Sequence, residues 1–110
     1  MNGKMINPET EIRENPAEIH GIFVFDPKDH IYQDHFPGNP VVPGSVIIHA
    51  FLSALQKAGF PSQDLIIEKF RFKKFVSPGE YDYQVRIGKK EITCELCKNE
   101  QVVVKGNLKP

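Results

Sequence analysis

The sequence has no excess of charge of either sign and no long apolar run. Its 14 lysine and arginine residues balance 14 aspartate and glutamate residues. A neutral chain creates no overall field that would attract nucleic acid or an anionic membrane surface, so we expect neither as a partner. No window approaches the roughly 20 apolar residues of a membrane-spanning helix. The sequence therefore predicts a protein without a membrane segment.

Cysteine is also scarce, with only Cys94 and Cys97 present. They lie in a stretch typical of a β-strand, where residues three apart point to opposite faces, so a local disulfide or a shared metal is unfavourable. One CxxC spacing without a second pair or a nearby histidine is weak evidence for a zinc or redox site. We expect two reduced thiols in a cytoplasmic protein.

The length of 110 residues and the 40% of apolar residues fit one small domain over residues 1–110. Residues 1–16 predict a loose lead-in without the apolar stretch of a secretory signal. A chain this short buries roughly 60–70% of its unfolded surface, so we expect a dimer or a larger assembly.

One helix is predicted over residues 45–57. It follows a loop dense in proline and glycine over residues 27–44, with Ser45 as the expected N-cap and Gly59 as the residue that ends it. The surface of this helix is apolar except for one narrow line of polar residues, so we expect the helix to be buried almost all round. That line consists of Ser45, His49, Ser53 and Gln56.

Strands are predicted on both sides of the helix. Over residues 17–25 both faces of the predicted strand are largely apolar. This pattern favours a strand that is buried on one side and covered by a partner on the other. Four more are predicted over residues 65–76, 81–87, 91–97 and 101–108. The short turns between them indicate an antiparallel meander, and the whole an α+β fold with the sheet curled around one central helix.

Two segments carry a family resemblance. Residues 34–44 read DHFPGNPVVPG and residues 70–80 read FRFKKFVSPGE. In this order they resemble the signature of the hot-dog-fold 3-hydroxyacyl-acyl carrier protein dehydratases, over roughly residues 17–108. The resemblance implies a hot-dog fold, no metal or redox cofactor, and dehydration of a 3-hydroxyacyl thioester on acyl carrier protein to the trans-2-enoyl form, in a fatty-acid or related lipid, polyene or polyketide pathway.

Such a dehydration needs a base for the α proton, an acid for the departing hydroxyl and donors for the thioester carbonyl. His35 suits the first role, because its reference pKa near 6.5 allows a neutral ring at working pH. The free N–H groups around Gly44 and Ser45, at the positive end of the helix, suit the third. The resemblance implies the same two assignments, and places Phe36 and Ser53 with Gly44 and Ser45 among the substrate-binding residues.

The second role is where the chain departs from the family. His49 occupies the helix position at which the family carries Glu or Asp. His49 is either the acid, paired with a neutral His35, or the residue that orients a water for hydrolysis or isomerisation, or a tolerated polar residue in an inactive subunit. We adopt the first interpretation as a hypothesis.

Partners follow from the resemblance. In the family two protomers join their sheets side by side, so that His35 of one chain would face His49 of the other in a homodimer, a higher even oligomer or a heterodimer with a second hot-dog subunit. Arg71, Lys73 and Lys74, with Lys69, form the densest basic run and are the predicted docking residues for acyl carrier protein; an ordinary solvated strand edge is the alternative. The rival functions are a non-catalytic or acyl-binding subunit and an acyl thioesterase.

Overall fold

The computed structural model describes residues 17–29, 40–60 and 64–109. Within these ranges the chain forms β1 (Ala17–Phe25), α1 (Gly44–Lys57), β2 (Ile66–Phe72), β3 (Gly79–Ile87), β4 (Ile92–Lys98) and β5 (Gln101–Lys109). The five strands form one antiparallel sheet in the spatial order β1-β3-β4-β5-β2, so that β1 and β2 are the edge strands. The predicted α+β architecture is confirmed, and β3, β4 and β5 form the expected meander. The prediction was wrong for β2, which pairs with β5 and not with β3, because the chain leaves the sheet between β2 and β3.

The core lies between one face of the sheet and one face of α1. Alternate residues of each central strand point to this inner face, as the period of two requires. The largest fully buried side chains come from both layers: Ile47, Phe51 and Leu55 from the helix, and Val85, Cys94, Leu96, Val104 and Leu108 from the strands.

Phe51 occupies the centre of the core with no exposed surface. Its ring centroid lies 5.1 Å from that of Phe23 on β1, 6.2 Å from that of Tyr83 on β3 and 6.2 Å from that of Phe70 on β2. The edge of its ring meets the face of its neighbour at Phe23 and Tyr83, a geometry that aromatic pairs prefer. One helical side chain therefore contacts both edge strands, which requires the sheet to curve around the helix.

The helix is buried on one face only, contrary to the expectation from its apolar cylinder. Ile47, Phe51, Ala54 and Leu55 are buried, whereas Ile48 and Leu52 are half-buried and His49 is exposed. A single curved sheet covers one side of a helix, and the remaining apolar surface of α1 has no covering element within the described ranges.

Both ends of the helix have defined backbone geometry. The N-cap is Pro43 and not Ser45, whose exposed side chain makes no capping hydrogen bond. The extended backbone of Pro43 (φ −61°, ψ 145°) lets its carbonyl accept from the Val46 N–H at 3.0 Å. At the other end Gly59 adopts φ +92°, and the Phe60 N–H donates to the Leu55 carbonyl at 2.9 Å, which is a Schellman motif. The predicted end at Gly59 is confirmed.

The predicted strands agree with the structure to within two residues, except for β2, which ends at Phe72 and not at residue 76. The Lys73 N–H still donates to the Val103 carbonyl at 2.8 Å, but the chain then leaves the sheet. The Val76 carbonyl instead accepts from the Val42 N–H at 2.7 Å, which ties this segment to the residues that precede α1.

The two cysteines are free thiols on opposite faces of β4, as the spacing predicts. Cys94 is fully buried in the core, and burial raises the pKa of its thiol to about 12. Cys97 is half-buried, and burial together with the nearby carboxylates of Glu95 and Asp82 raises its pKa. Neither thiol has the lowered pKa of a nucleophile. In the part of the chain that is described, no helix has the length and apolar character needed to cross a membrane.

We expect Phe51→Ala to lower the free energy of unfolding by about 3–5 kcal/mol, because it leaves a cavity among rings that three strands hold in place. Phe75→Ala removes the same side chain from a site that is 88% exposed and should change it by less than about 0.5 kcal/mol. Chemical denaturation of both variants checks the difference; equal effects would contradict the central place of Phe51.

We expect Ser45→Ala to change the free energy of unfolding by less than about 0.5 kcal/mol, because the Ser45 hydroxyl caps no backbone N–H. Loss of a true serine N-cap costs about 0.5–2 kcal/mol. Thermal and denaturant unfolding measure the change, and a loss in the range of a true cap would restore Ser45 as the N-cap.

Candidate active site

The start of α1 is held against the end of β2. A side chain on Gly44 would place its Cβ 3.0 Å from Cζ of Phe72, so the absence of a side chain at this position allows the close approach. The hydrogen bond from the Val42 N–H to the Val76 carbonyl joins the segment before α1 to the segment that follows β2. The helix N-terminus thus lies at the edge of the sheet, next to a ring that is 43% exposed.

Two backbone donors are free at this position. The Pro43 carbonyl accepts from the N–H groups of Val46 and Ile47, whereas the N–H groups of Gly44 and Ser45 precede the first intrahelical acceptor. No side chain in the described part of the chain caps them, and the first turn contains no acidic residue. Two adjacent N–H groups at the positive end of a helix dipole are suited to stabilise a negatively charged oxygen.

His49 lies one turn further along the helix, on the face turned away from the sheet. Ser45, His49 and Ser53 follow each other at intervals of four residues and therefore share a face. The His49 side chain is exposed and makes no hydrogen bond or ion pair with any residue that the structure describes.

The other predicted residues divide into two groups. His35 and Phe36 lie outside the described residues, so their relation to His49 stays a prediction. Arg71 lies within β2, whereas Lys73 and Lys74 belong to the segment that leaves the sheet. All three are exposed, and Lys74 Nζ donates to Gln101 Oε1 at 3.3 Å. The basic run is thus split between a strand and a loop.

The structure adds Phe72 to the residues that the sequence singled out. It was part of the second motif, but nothing in the sequence shows that its ring would cover Gly44. The alternation of Phe70, Arg71 and Phe72 carries the available signal, since it places both rings on one face of the strand. Among the described residues, no three His, Cys, Asp or Glu side chains gather as metal ligands.

A comparison with family models matches residues 8–107 to the ApeI-like family, described as ApeI dehydratase. A 3-hydroxyacyl-[acyl-carrier-protein] dehydratase FabZ from Caldicellulosiruptor saccharolyticus is 42% identical over 57 residues, which cover 44% of this chain and 41% of the relative. The FabZ of Caldicellulosiruptor bescii is 34% identical over 80 residues, covering 66% of this chain and 55% of the relative. The chain thus spans about half the length of the curated relatives it matches.

The dehydratase heterocomplex ApeI:P from Xenorhabdus doucetiae superposes with a TM-score of 0.65 at 21% identity, covering 84% of this chain and 85% of that chain. This likeness shows the fold, and it confirms the hot-dog architecture expected from the two motifs. The family match extends over nearly the whole sequence and includes both motifs. The chain belongs to the ApeI-like dehydratase family.

Proposed function

We propose that the protein removes water from a 3-hydroxyacyl thioester carried on acyl carrier protein and forms the trans-2-enoyl thioester. The observation that carries the proposal is the pair of free N–H groups at Gly44 and Ser45, which start a helix with no acidic residue in its first turn. Membership of a dehydratase family supports the reaction class.

The reaction breaks a C–H bond at the α carbon and the C–O bond at the β carbon, and releases one water. As the α proton leaves, negative charge develops on the thioester oxygen, and the donors of Gly44 and Ser45 would stabilise it. We assign the removal of this proton to His35. The rigid helix start keeps the donors oriented without reorganisation during the reaction, since Phe72 and the Val42–Val76 hydrogen bond hold it in place.

We assign protonation of the departing hydroxyl to His49. It lies five residues after Gly44, which corresponds to about 7.5 Å along the helix axis. Its exposed ring lies on the same face as Ser45 and has no described partner. A histidine can replace a carboxylic acid in this role only when it is cationic, and a neutral His35 nearby would permit that charge. Ser53 lies one turn beyond His49 and would contact the substrate, as would Phe36.

The site needs a second chain under this assignment. Edge strand β2 carries exposed Ile66 and Ile67 at its beginning and exposed Phe72 at its end, beside the helix start, and α1 leaves Ile48 and Leu52 half-covered. We propose that a second hot-dog subunit pairs along β2 and covers this surface, so that His35 of one chain approaches His49 of the other. The partner is a second copy or a different subunit; the ApeI relative from Xenorhabdus doucetiae forms a heterocomplex.

The carrier protein is proposed to dock on Arg71, Lys73 and Lys74. Their charges are exposed, and the segment that contains Lys73 and Lys74 passes beside the helix start through Val76. An acidic helix bound there would bring the thioester within reach of the Gly44 and Ser45 donors. The location of this reaction in the cytoplasm stays a prediction from the sequence, as does the assignment of residues 1–110 to one domain.

The first test follows hydration of a short 2-enoyl-acyl carrier protein by loss of the enoyl absorbance. We expect activity from the purified protein, a loss of at least about 100-fold in His35→Ala and in His49→Ala, and no change in His20→Ala. His20 is a suitable control because it is exposed on the outer face of β1, beside Glu18 at 3.2 Å. Full activity of His49→Ala would remove His49 from the mechanism.

If the wild-type protein hydrates no substrate at several chain lengths, the proposal that identical subunits form an active enzyme is wrong. The result would indicate a subunit that needs a different chain. A hot-dog subunit with an intact helix carboxylate would then be added. Hydration by the mixture that exceeds hydration by the added subunit alone would identify the protein as a non-catalytic partner, and no increase would identify it as inactive. Release of free acid from the thioester would instead indicate a thioesterase.

We expect Arg71→Gln with Lys73→Gln and Lys74→Gln to raise KM for carrier-bound substrate at least tenfold and to leave KM for a small acyl thioester unchanged. The reason is that only the carrier protein presents an acidic surface to these residues. A matched variant with Lys28→Gln, Lys57→Gln and Lys90→Gln removes three exposed charges elsewhere. Equal effects on both substrates, or of both variants, would contradict docking at this site.

A further inference from the structure

A groove of about 230 Å³ lies on the outer face of the sheet, on the side opposite α1. It is formed by β2 and β5 and lined by Lys69, Arg71, Lys105, Gly106 and Asn107. The helix and its free N–H groups are on the inner side, and Arg71 is the only groove residue that the proposed function assigns, to docking of the carrier protein.

The register of β2 and β5 places two cationic side chains directly opposite each other. Arg71 is the direct cross-strand partner of Lys105, and Lys69 is the partner of Asn107. Like charges directly opposite each other destabilise a strand pair, because their side chains stand side by side. The side chains of Arg71 and Lys105 therefore repel each other in the groove, and a bound anion would reduce this repulsion.

Described carboxylates neutralise only part of this charge. Lys105 Nζ lies 3.8 Å from Glu95 Oε2, and the neighbouring Lys109 pairs with Glu68 at the same distance. The side chains of Lys69 and Arg71 make no ion pair or hydrogen bond with any described residue. Among the described residues, three cations and one carboxylate, that of Glu95, leave two positive charges around the groove without an ion-pair partner.

We infer that this groove binds a phosphate dianion, either inorganic phosphate or the terminal phosphate of a monoester. The guanidinium of Arg71 can donate two parallel hydrogen bonds to phosphate oxygens, and Lys69 and Lys105 contribute point charges on either side. The half-buried Asn107 adds an amide donor. A dianion matches the two uncompensated charges, whereas a carboxylate or a phosphodiester matches only one.

The test is isothermal titration of the full-length protein at pH 8 and constant ionic strength with sodium phosphate, glycerol 3-phosphate, dimethyl phosphate and sodium acetate. We expect saturable binding of the first two and at least tenfold weaker binding of the two monoanions. Inorganic phosphate that binds tenfold more tightly than the monoester would identify the free ion as the ligand, and the reverse order would identify an ester. Dimethyl phosphate or acetate that binds as tightly as phosphate would overturn the inference.

Arg71→Gln is expected to weaken phosphate binding at least tenfold without lowering Tm in phosphate-free buffer, because it also removes the repulsion of Lys105. The matched variant Lys73→Gln with Lys74→Gln removes two neighbouring positive charges outside the groove and should bind phosphate as the wild type does. A loss of equal size in both variants would indicate a diffuse basic surface and contradict a built site. Neither carrier protein nor acyl substrate is present, so the result is independent of the proposed dehydratase activity.

Discussion

The packing of Phe51 against the rings of Phe23, Tyr83 and Phe70 determines how the rest of the molecule is arranged. The helix can bury one ring among three strands only if the sheet curves, and this curvature brings both edges towards α1. Once the buried face of the helix is fixed, its opposite face is fixed as well, because residues four apart share a side. Ser45, His49 and Ser53 are therefore directed away from the sheet as a consequence of core packing.

The packing of α1 against the curved sheet also determines where the candidate site lies. The helix begins where the ring of Phe72 meets the backbone of Gly44, so its free N–H groups lie at the edge of the sheet and not above its centre. His49 is then exposed on a surface that none of the described elements covers. The proposed role of His49 needs a dry environment, which the proposed second chain would provide by enclosing this surface. The proposed dehydration and the proposed assembly are for this reason linked through one face of α1.

Much of this fold was predictable because its signals are local. Period-two alternation located β1, β3, β4 and β5 to within two residues, and the glycine at position 59 located the end of the helix. The predictions that were wrong depended on tertiary contacts. Pro43 is the N-cap in a segment where Val42 is hydrogen-bonded to Val76, and β2 ends at Phe72, before the residues that lead to this hydrogen bond. The helix is buried on one side because a single sheet covers one side, which its apolar residues alone cannot show.

The candidate site was predictable to a different degree. The motif around Gly44 and the position of His49 were read from residue order, since the relevant spacing lies within one helix. The closeness of Phe72 to Gly44 and the opposition of Arg71 and Lys105 were not, because both depend on which residues of β2 meet other elements. Pairing across strands is decided by register, and a sequence of alternating residues is compatible with more than one register.

Strand β2 is attached to the sheet on one side only, and its ladder with β5 contains an irregularity between Ile67 and Lys69. Such a strand opens at a lower free energy than the central strands, so its amide hydrogens exchange with solvent earlier than those of β4. A subunit that paired with the free edge would close these openings and make the order of β2 depend on protein concentration. In this protein, local unfolding of β2 and dissociation of the subunits would then be coupled, so that a measurement of one also reports on the other.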